Sequence, residues 1–119
     1  LTTFINIYII LYNIFMEVEI LPSTRKTKKL MALFYKDNKL IKTVHFGAKG
    51  YKDFTIYSKE NKENAEKIKA SYLKRHSVRE NWADYMTAGS LSRYILWNRP
   101  TIAQSIGVYL KTFNLKYKK

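Results

Sequence analysis

The stretch Lys69–Arg99 reads KASYLKRHSVRENWADYMTAGSLSRYILWNR, and the rest of the chain is organised around it. It holds both tryptophans, one of the two histidines and four of the five arginines. Large aromatics dominate the packing of small domains, and arginine forks suit phosphate oxygens. We therefore expect this stretch to supply both packing of the helical half and binding chemistry, with Trp82 and Trp97 in the core.

Helix-start signals recur inside this stretch. Ser77-Val78-Arg79-Glu80 has the form of a capping box, in which the serine and the glutamate each satisfy a free backbone N–H. It predicts that one helix ends near His76 and that a short helix begins at Val78. Thr87-Ala88-Gly89-Ser90 predicts a further start, and Asn98-Arg99-Pro100 stops that helix because a residue before proline avoids the helical conformation.

Helical spacing continues on both sides of the central stretch. Upstream, Ser58 or Asn61 is a suitable N-cap for an amphipathic helix that runs to about Arg75. Downstream, Thr101-Ile102-Ala103-Gln104 is another capping box and opens a last helix. Gly107 lies inside that helix, where we expect it to allow close packing against a neighbour. The end of the chain, residues 115 to 119, reads as a basic tail.

The N-terminal half has the two-residue period of strands. Alternation predicts a strand over residues 16–21, and two β-rich runs, 30–35 and 40–46, flank a hairpin turn at Lys36-Asp37-Asn38-Lys39. Residues 54–57 read as a further short strand. The predicted fold class is α+β: a small antiparallel sheet of three to four strands in the N-terminal half, packed with three to four helices in the C-terminal half.

Residues 1–15, LTTFINIYIILYNIF, carry no charge. They lack a basic region and a small-residue cleavage site, and they are shorter than the ~20 residues that span a bilayer. We expect either upstream sequence that precedes an authentic start at Met16, or a hydrophobic leader, with no stable membrane insertion. Residues 16–119 are then a single α+β domain with a short basic tail.

The chain is strongly basic, with 22 Lys and Arg against 9 Asp and Glu, a formal net charge of +13. Such a positive field attracts polyanions, of which nucleic acid is the first candidate. Part of the excess can come from AT-rich coding, which also favours Asn, Ile, Tyr and Phe. Coding bias explains the local distribution of charge less well. No acidic residue follows Tyr85, and AT-rich coding does not favour arginine. The absence of cysteine excludes disulfides and thiolate metal sites.

Basic residues in two segments are the candidate nucleic-acid contacts. The first is the densest basic run of the chain, and the second is the arginine-bearing stretch described above. A solvated loop is an equally good interpretation of the first segment. The candidates are Arg25, Lys26, Lys28, Lys29, Lys74, Arg75, Arg79, Arg93 and Arg99.

Signals for catalysis are weak. His76, Glu80 and Asp84 lie four residues apart and would form one facial row on an unbroken helix, able to hold a metal or to transfer protons. The capping box interrupts that row and gives Glu80 a structural role. Gly47-Ala48-Lys49-Gly50 lacks the spacing of a phosphate-binding P-loop. We therefore predict no catalytic residue, no metal ligand and no cofactor.

Three segments of the central stretch resemble a known family. The segments are Tyr72–Ser77, Glu80–Trp82 and Met86–Trp97, with Arg-His-Ser and Thr-Ala-Gly-Ser-Leu-Ser-Arg as their most specific elements. They are similar to small uncharacterised proteins of nucleocytoplasmic large DNA viruses and related giant-virus metagenomes. The resemblance covers most of residues 16–115. It implies a viral protein made in an infected eukaryotic cell, in its cytoplasm or virus factory or in the virion, and it implies no activity.

These observations leave three functional hypotheses. The first is a non-enzymatic viral protein that binds nucleic acid through its basic residues. The second is a minor virion structural protein, of capsid or core, whose positive surface meets an acidic virion protein. The third is a metal-dependent nuclease-like enzyme, and Glu80 and Asp84 are the only residues of the sequence that support it.

Overall fold

Three antiparallel strands form the N-terminal half of the computed structural model, which describes residues 16–119. They are β1 (Glu17–Pro22), β2 (Lys28–Lys36) and β3 (Lys39–Ala48). Asp37 and Asn38 join β2 to β3 with φ of 51° and 63°. Positive φ at both central residues is what a two-residue hairpin turn needs, so the predicted hairpin is confirmed. The expectations for residues 1–15 lie outside the described residues.

The C-terminal half is helical. It contains α1 (Phe54–Glu60), α2 (Lys62–Ser77), α3 (Ala88–Leu91) and α4 (Ile102–Phe113), and α3 continues as a π-helical segment, Ser92–Leu96. The predicted α+β class, with a small sheet followed by helices, is confirmed. Within residues 16–119, no helix combines the length and the apolar character needed to cross a membrane.

The predicted basic tail contains a fourth strand, β4 (Lys116–Tyr117). It lies parallel to β1, which makes the sheet mixed, with the order β3-β2-β1-β4. The Tyr117 hydroxyl also accepts the Ile20 N–H at 3.1 Å and donates to the Ile20 carbonyl at 3.2 Å. The tail was misread because two residues are too short for a detectable alternation, whereas backbone pairing with β1 fixes them in place.

The core lies between one face of the sheet and the helices that follow α2. Alternate strand residues project into it, as the two-residue period predicts, and they meet side chains of α3, the π-helical segment and α4. Tyr109 is fully buried, its hydroxyl donates to the Tyr85 carbonyl at 2.6 Å, and burial raises the pKa of that hydroxyl. The main buried residues are Val18, Ile20, Ala32, Phe34, Phe46, Leu91, Ile95, Leu96, Tyr109 and Leu115.

Residues 54–57, predicted as a strand, form the first turn of α1. The sequence prediction missed Asp53, whose carboxylate accepts the Thr55 N–H at 2.9 Å and caps the helix. Local capping and burial of Phe54 therefore override the β-propensity of these residues. Of the two N-caps suggested for the following helix, Ser58 and Asn61, the second is confirmed: the Asn61 side chain accepts the Asn64 N–H at the start of α2.

The predicted capping box at Ser77 does not form. Helix α2 runs through Ser77, whose hydroxyl donates backward to the Lys74 carbonyl at 3.0 Å. Such back-bonding competes with capping of a following helix. The short helix expected from Val78 is also wrong, since residues 78–87 form turns before α3.

The two other predicted starts are confirmed. Thr87 accepts the Ser90 N–H at the start of α3, and Thr101 accepts the Gln104 N–H at the start of α4. Gly107 does not allow a close approach, because no heavy atom lies within 4 Å of where its Cβ would be. The packing role expected for it is therefore wrong.

Candidate nucleic-acid interface

A cleft of about 510 Å³ opens where the end of β3, the loop before α1, α2 and the start of α3 meet. Its lining divides into two sets of residues. The floor is the buried or half-buried set Lys29, Gly47, Asp53, Tyr72, Leu96 and Trp97. The rim is the half-buried Lys28 together with the exposed Ala48, Tyr51, Lys52 and Arg75.

One corner of the floor is an ion pair between β2 and α1. The Lys29 ammonium lies 2.8 Å from the Asp53 carboxylate, and the side chains are 19% and 5% exposed. Asp53 also accepts hydrogen bonds from the Thr55 N–H and from the Thr55 hydroxyl. Because this buried carboxylate needs its partners, Lys29 is committed to the fold and is not free to bind a ligand.

Gly47 lets β3 approach the π-helical segment. Its φ is +79°, and a Cβ at this position would lie 2.6 Å from Leu96 Cδ1. Both the backbone conformation and the short distance favour glycine. The residue thus fixes the depth of the cleft at the end of β3.

An aromatic column forms the helical wall of the floor. The Tyr72 and Trp97 rings are stacked, with centroids 4.1 Å apart and planes 6° apart. His76 stacks on the other side of Tyr72 at 4.1 Å, and Tyr57 lies 6.2 Å from Trp97. Burial, and secondarily the charge of Glu80, raise the pKa of Tyr72 to about 12. Trp97 therefore lines the cleft and is half-buried instead of being enclosed in the core.

Glu80 closes one side of the cleft through structural contacts. Its carboxylate lies 3.0 Å from His76 Nδ1 and accepts the Trp82 indole N–H at 2.7 Å. Gly89, in the first turn of α3, allows this approach, since a Cβ there would lie 2.8 Å from Glu80 Cδ. The structural role predicted for Glu80 is thus correct, although its partners differ from those of a capping box.

The rim carries positive charge from three elements. Lys28 comes from β2, Lys52 from the loop before α1, and Arg75 from the exposed face of α2. Lys52 pairs with Glu60 at 2.7 Å, and this hydrogen bond raises the pKa of the ammonium, so Lys52 stays charged at neutral pH. Exposed pairs of this kind are weak, which leaves Lys52 able to exchange Glu60 for a phosphate.

Two basic loops meet at this rim. The Lys49 N–H donates to the Thr27 carbonyl at 2.9 Å, which joins the loop between β1 and β2 to the loop after β3. The first loop carries the exposed side chains of Arg25 and Lys26, and the second carries that of Lys49. Clustered cations from separate segments form the kind of patch that contacts a phosphate backbone.

The structure brings together some of the sequence-predicted contacts and separates others. Lys28, Lys29 and Arg75 line the cleft, and Arg75 and Arg79 line a neighbouring hollow beside His76. Arg25 and Lys26 lie in the adjoining loop. The remaining exposed candidates, Lys74 and Arg99, do not line the cleft.

Arg93 serves packing. Its guanidinium carbon lies 4.2 Å from the centroid of the Tyr94 ring and 5.0 Å from that of Trp82. The guanidinium thus covers two aromatic faces and is half-buried. The arginines of the helical half therefore do not form one exposed set.

Of the lining residues that were not among the sequence-predicted contacts, four bear on the proposed interface: Tyr51, Lys52, Tyr72 and Trp97. Tyr51 and Lys52 follow Gly50, in a loop whose glycines lack the spacing of a phosphate-binding P-loop. Trp97 was expected in the core, and Tyr72 lies in the predicted amphipathic helix. An exposed tyrosine beside a lysine in a glycine-containing loop was the one available signal. The side chain of Tyr51 is 73% exposed.

The carboxylates of the nuclease hypothesis are engaged in internal hydrogen bonds. Glu80 has the partners described above, and Asp84 accepts the Met86 N–H at 3.1 Å. Across residues 16–119, no group of three or more His, Asp or Glu side chains is placed to hold a metal ion. The geometry of this part of the chain gives the nuclease hypothesis no support.

Comparison with known proteins reaches only part of the chain. Residues 18–76 match a family of unknown function, DUF5754. The match spans the three antiparallel strands, α1 and nearly all of α2, which is just under half of the chain. It includes Lys28, Lys52 and Arg75 of the rim, whereas the segment Met86–Trp97 lies outside it. No curated protein and no solved structure matches the chain.

Proposed function

We propose that this chain is a non-enzymatic protein that binds nucleic acid through contacts between basic side chains and phosphates. The observation that carries the proposal is the meeting of two basic loops at the mouth of a cleft that Arg75 also lines. The net charge of +13 supplies the long-range attraction. The local cluster supplies a place where a backbone can dock.

Local charge at the rim favours an anionic ligand. Of the two acidic residues that line the cleft, Asp53 pairs with Lys29 and Glu80 lies against His76. Lys28 and Arg75 thus face a lining whose carboxylates already have partners. A phosphate bound there releases counterions from the nucleic acid, so the affinity falls as salt rises.

The proposal includes a viral origin and action in the cytoplasm or virus factory of an infected cell, or within the virion. Its support is the resemblance of segments Tyr72–Ser77, Glu80–Trp82 and Met86–Trp97 to small proteins of large DNA viruses. Detection of the chain in infected cells by mass spectrometry, and its position in fractionated cells, tests this part.

A salt-dependent binding experiment tests the phosphate mechanism. The full chain is titrated with labelled duplex and single strands at roughly 50 and 200 mM salt. For the double variant Lys28→Ala and Arg75→Ala we expect at least tenfold weaker binding at low salt, and a salt slope smaller by about two. The matched control, Lys67→Ala with Lys111→Ala, removes the same charge from exposed helix positions outside the cleft and should retain most of the slope.

Thermal unfolding of both double variants accompanies the titrations, because a misfolded protein would also bind less. Both should unfold close to the wild-type temperature, since three of the four side chains are exposed, Lys28 is half-buried, and none belongs to the core. Affinity that is absent at low salt, or that does not respond to salt, rules out the phosphate mechanism.

A second candidate is a structural protein of the virion with an acidic neighbour. It is favoured by β3, an edge strand whose first half is exposed, with Leu40 and Ile41 53% and 49% accessible beside the exposed Lys39 and Lys42. Exposed apolar side chains on an open edge suit strand pairing with a partner. High abundance in purified particles, together with failure to retard nucleic acid, would favour this candidate.

A further inference from the structure

We propose that the cleft receives one unpaired base of a single strand, which stacks on Tyr51 while the adjoining phosphates contact Lys28 and Arg75. This inference rests on the proposed function and deepens it, because it names single-stranded nucleic acid as the preferred ligand. Three observations carry it: the exposed ring at the rim, the aromatic column inside, and the size of the cleft.

The ring of Tyr51 is the first observation. Its side chain is 73% exposed, although it lines the cleft, so the fold gains little from it. Lys52 follows Tyr51 directly in the chain. Lys49 lies in the same loop, and Lys26 lies in the loop between β1 and β2, which is joined to it by the hydrogen bond from Lys49 to Thr27. An exposed aromatic ring in a lysine-bearing loop combines the two features, a stacking face and positive charge, that bind bases and phosphates of a single strand.

The interior of the cleft is the second observation. The lining also includes the half-buried Trp97 and Tyr57, whose ring centroids lie 6.2 Å apart. The cleft of about 510 Å³ falls within the ~300–1,000 Å³ typical of pockets that bind small molecules. A base has the flat apolar faces that such walls accept, and its phosphate stays with the cations at the rim.

Base pairing decides between the two forms of nucleic acid. In a duplex, each base is stacked and paired, so it must be unstacked and unpaired before it can enter the cleft. In a single strand the base is already available. Phosphate contacts at the rim serve both forms, whereas stacking on Tyr51 serves only the single strand.

Substitution of Tyr51 tests the inference in the full chain. The probes are an oligothymidylate of roughly 12 nucleotides with one central 2-aminopurine, within the ~4–16-nucleotide site sizes of stacking grooves, and a duplex of the same length. For Tyr51→Leu, which keeps apolar bulk without a ring, we expect about tenfold weaker single-strand binding and unchanged duplex binding. Tyr51→Phe keeps the ring and should bind within about twofold of wild type.

The fluorescence of 2-aminopurine gives a second readout. Stacking quenches it, so binding to the wild type and to Tyr51→Phe should quench the probe, and binding to Tyr51→Leu should not. Equal losses for single strand and duplex in Tyr51→Leu, no loss at all, or tighter wild-type binding to duplex overturns the inference.

The variant with Lys28 and Arg75 replaced by alanine separates this inference from the proposed function. If it weakens binding of both probes while Tyr51→Leu changes neither, the stacking inference is wrong and the phosphate mechanism stands. If neither variant weakens binding, both are wrong.

Discussion

One lysine of the floor and one lysine of the rim each pair with a carboxylate, and the two N–O distances are nearly the same. Lys29 and Asp53, in the floor, lie 2.8 Å apart with side chains 19% and 5% exposed. Lys52 and Glu60, at the rim, lie 2.7 Å apart with side chains 52% and 47% exposed. Distance alone would rank them as equals. Solvent exposure separates them, because water stabilises the separated ions at the rim and cannot do so in the floor.

The comparison suggests a division of roles. Floor residues have their hydrogen-bonding and packing partners within the protein, so changes there should lower stability first and ligand binding only as a consequence. Rim residues keep solvated charges and an exposed ring, so changes there should affect binding while stability stays nearly constant. Each of the following measurements tests this division of roles.

The largest effect is expected at Asp53. Replacement by alanine removes the N-cap of α1 and leaves the Lys29 ammonium without its carboxylate, so the free energy of unfolding should fall by about 3 kcal/mol. Urea denaturation measures it. Asp53→Asn keeps a capping oxygen and should lose less. Glu60→Ala at the rim should leave the urea midpoint nearly unchanged, and a loss equal to that of Asp53→Ala would end the distinction between the two pairs.

A smaller effect separates two glycines three residues apart, Gly47 near the end of β3 and Gly50 in the loop after it. Gly47 and Gly50 have φ of +79° and +91°, so alanine is strained at both. Only at Gly47 does the new Cβ also meet Leu96, whereas nothing lies within 4 Å at Gly50. Gly47→Ala should therefore unfold more easily than Gly50→Ala by about 1 kcal/mol in parallel urea titrations. Identical losses would mean that β3 does not press on the π-helical segment.

A third effect, similar in size to the difference between the glycines, is visible only in alkali. The pKa of Tyr72 is raised to about 12 in the folded protein, against about 10 for an unfolded tyrosine. Between these values the folded state holds a proton that the unfolded state releases, so this contribution to stability is complete below pH 10 and is lost as the pH rises toward 12. Tyr72→Phe should decline less than wild type between pH 9 and pH 11 in urea denaturation. An identical decline would place the hydroxyl outside the buried floor.

Much of the fold could be predicted because its signals are local. The alternation of β1, the Asp37–Asn38 turn and the caps at Thr87 and Thr101 depend on neighbouring residues, and all are confirmed. The failure at residues 54–57 involves a distant partner as well as a local cap. Residues 54–57 have β-propensity, but Asp53 caps them into a helix and is itself held by Lys29 from another strand. No window around residue 54 contains that lysine.

The site was predictable in composition and not in arrangement. Charge density pointed to Lys28, Lys29 and Arg75, and the structure gathers these three around one cleft. The charge density of the sequence could not show that Lys29 pairs with Asp53 in the floor, or that the Arg93 guanidinium covers aromatic rings. Both outcomes are set by tertiary contacts, whereas a sequence gives only the number of charges.

The bond between Tyr117 and Ile20 has a consequence for assembly. A two-residue strand would leave the rest of β1 bare, but one phenol occupies both backbone groups of Ile20 and extends the coverage beyond β4. Among the strands of residues 16–119, the long edge strand is therefore β3, and the first half of that strand is exposed. An extended peptide that adds a strand to this sheet, from another chain or from a growing aggregate, is therefore expected to pair with β3, on the hairpin side of the sheet.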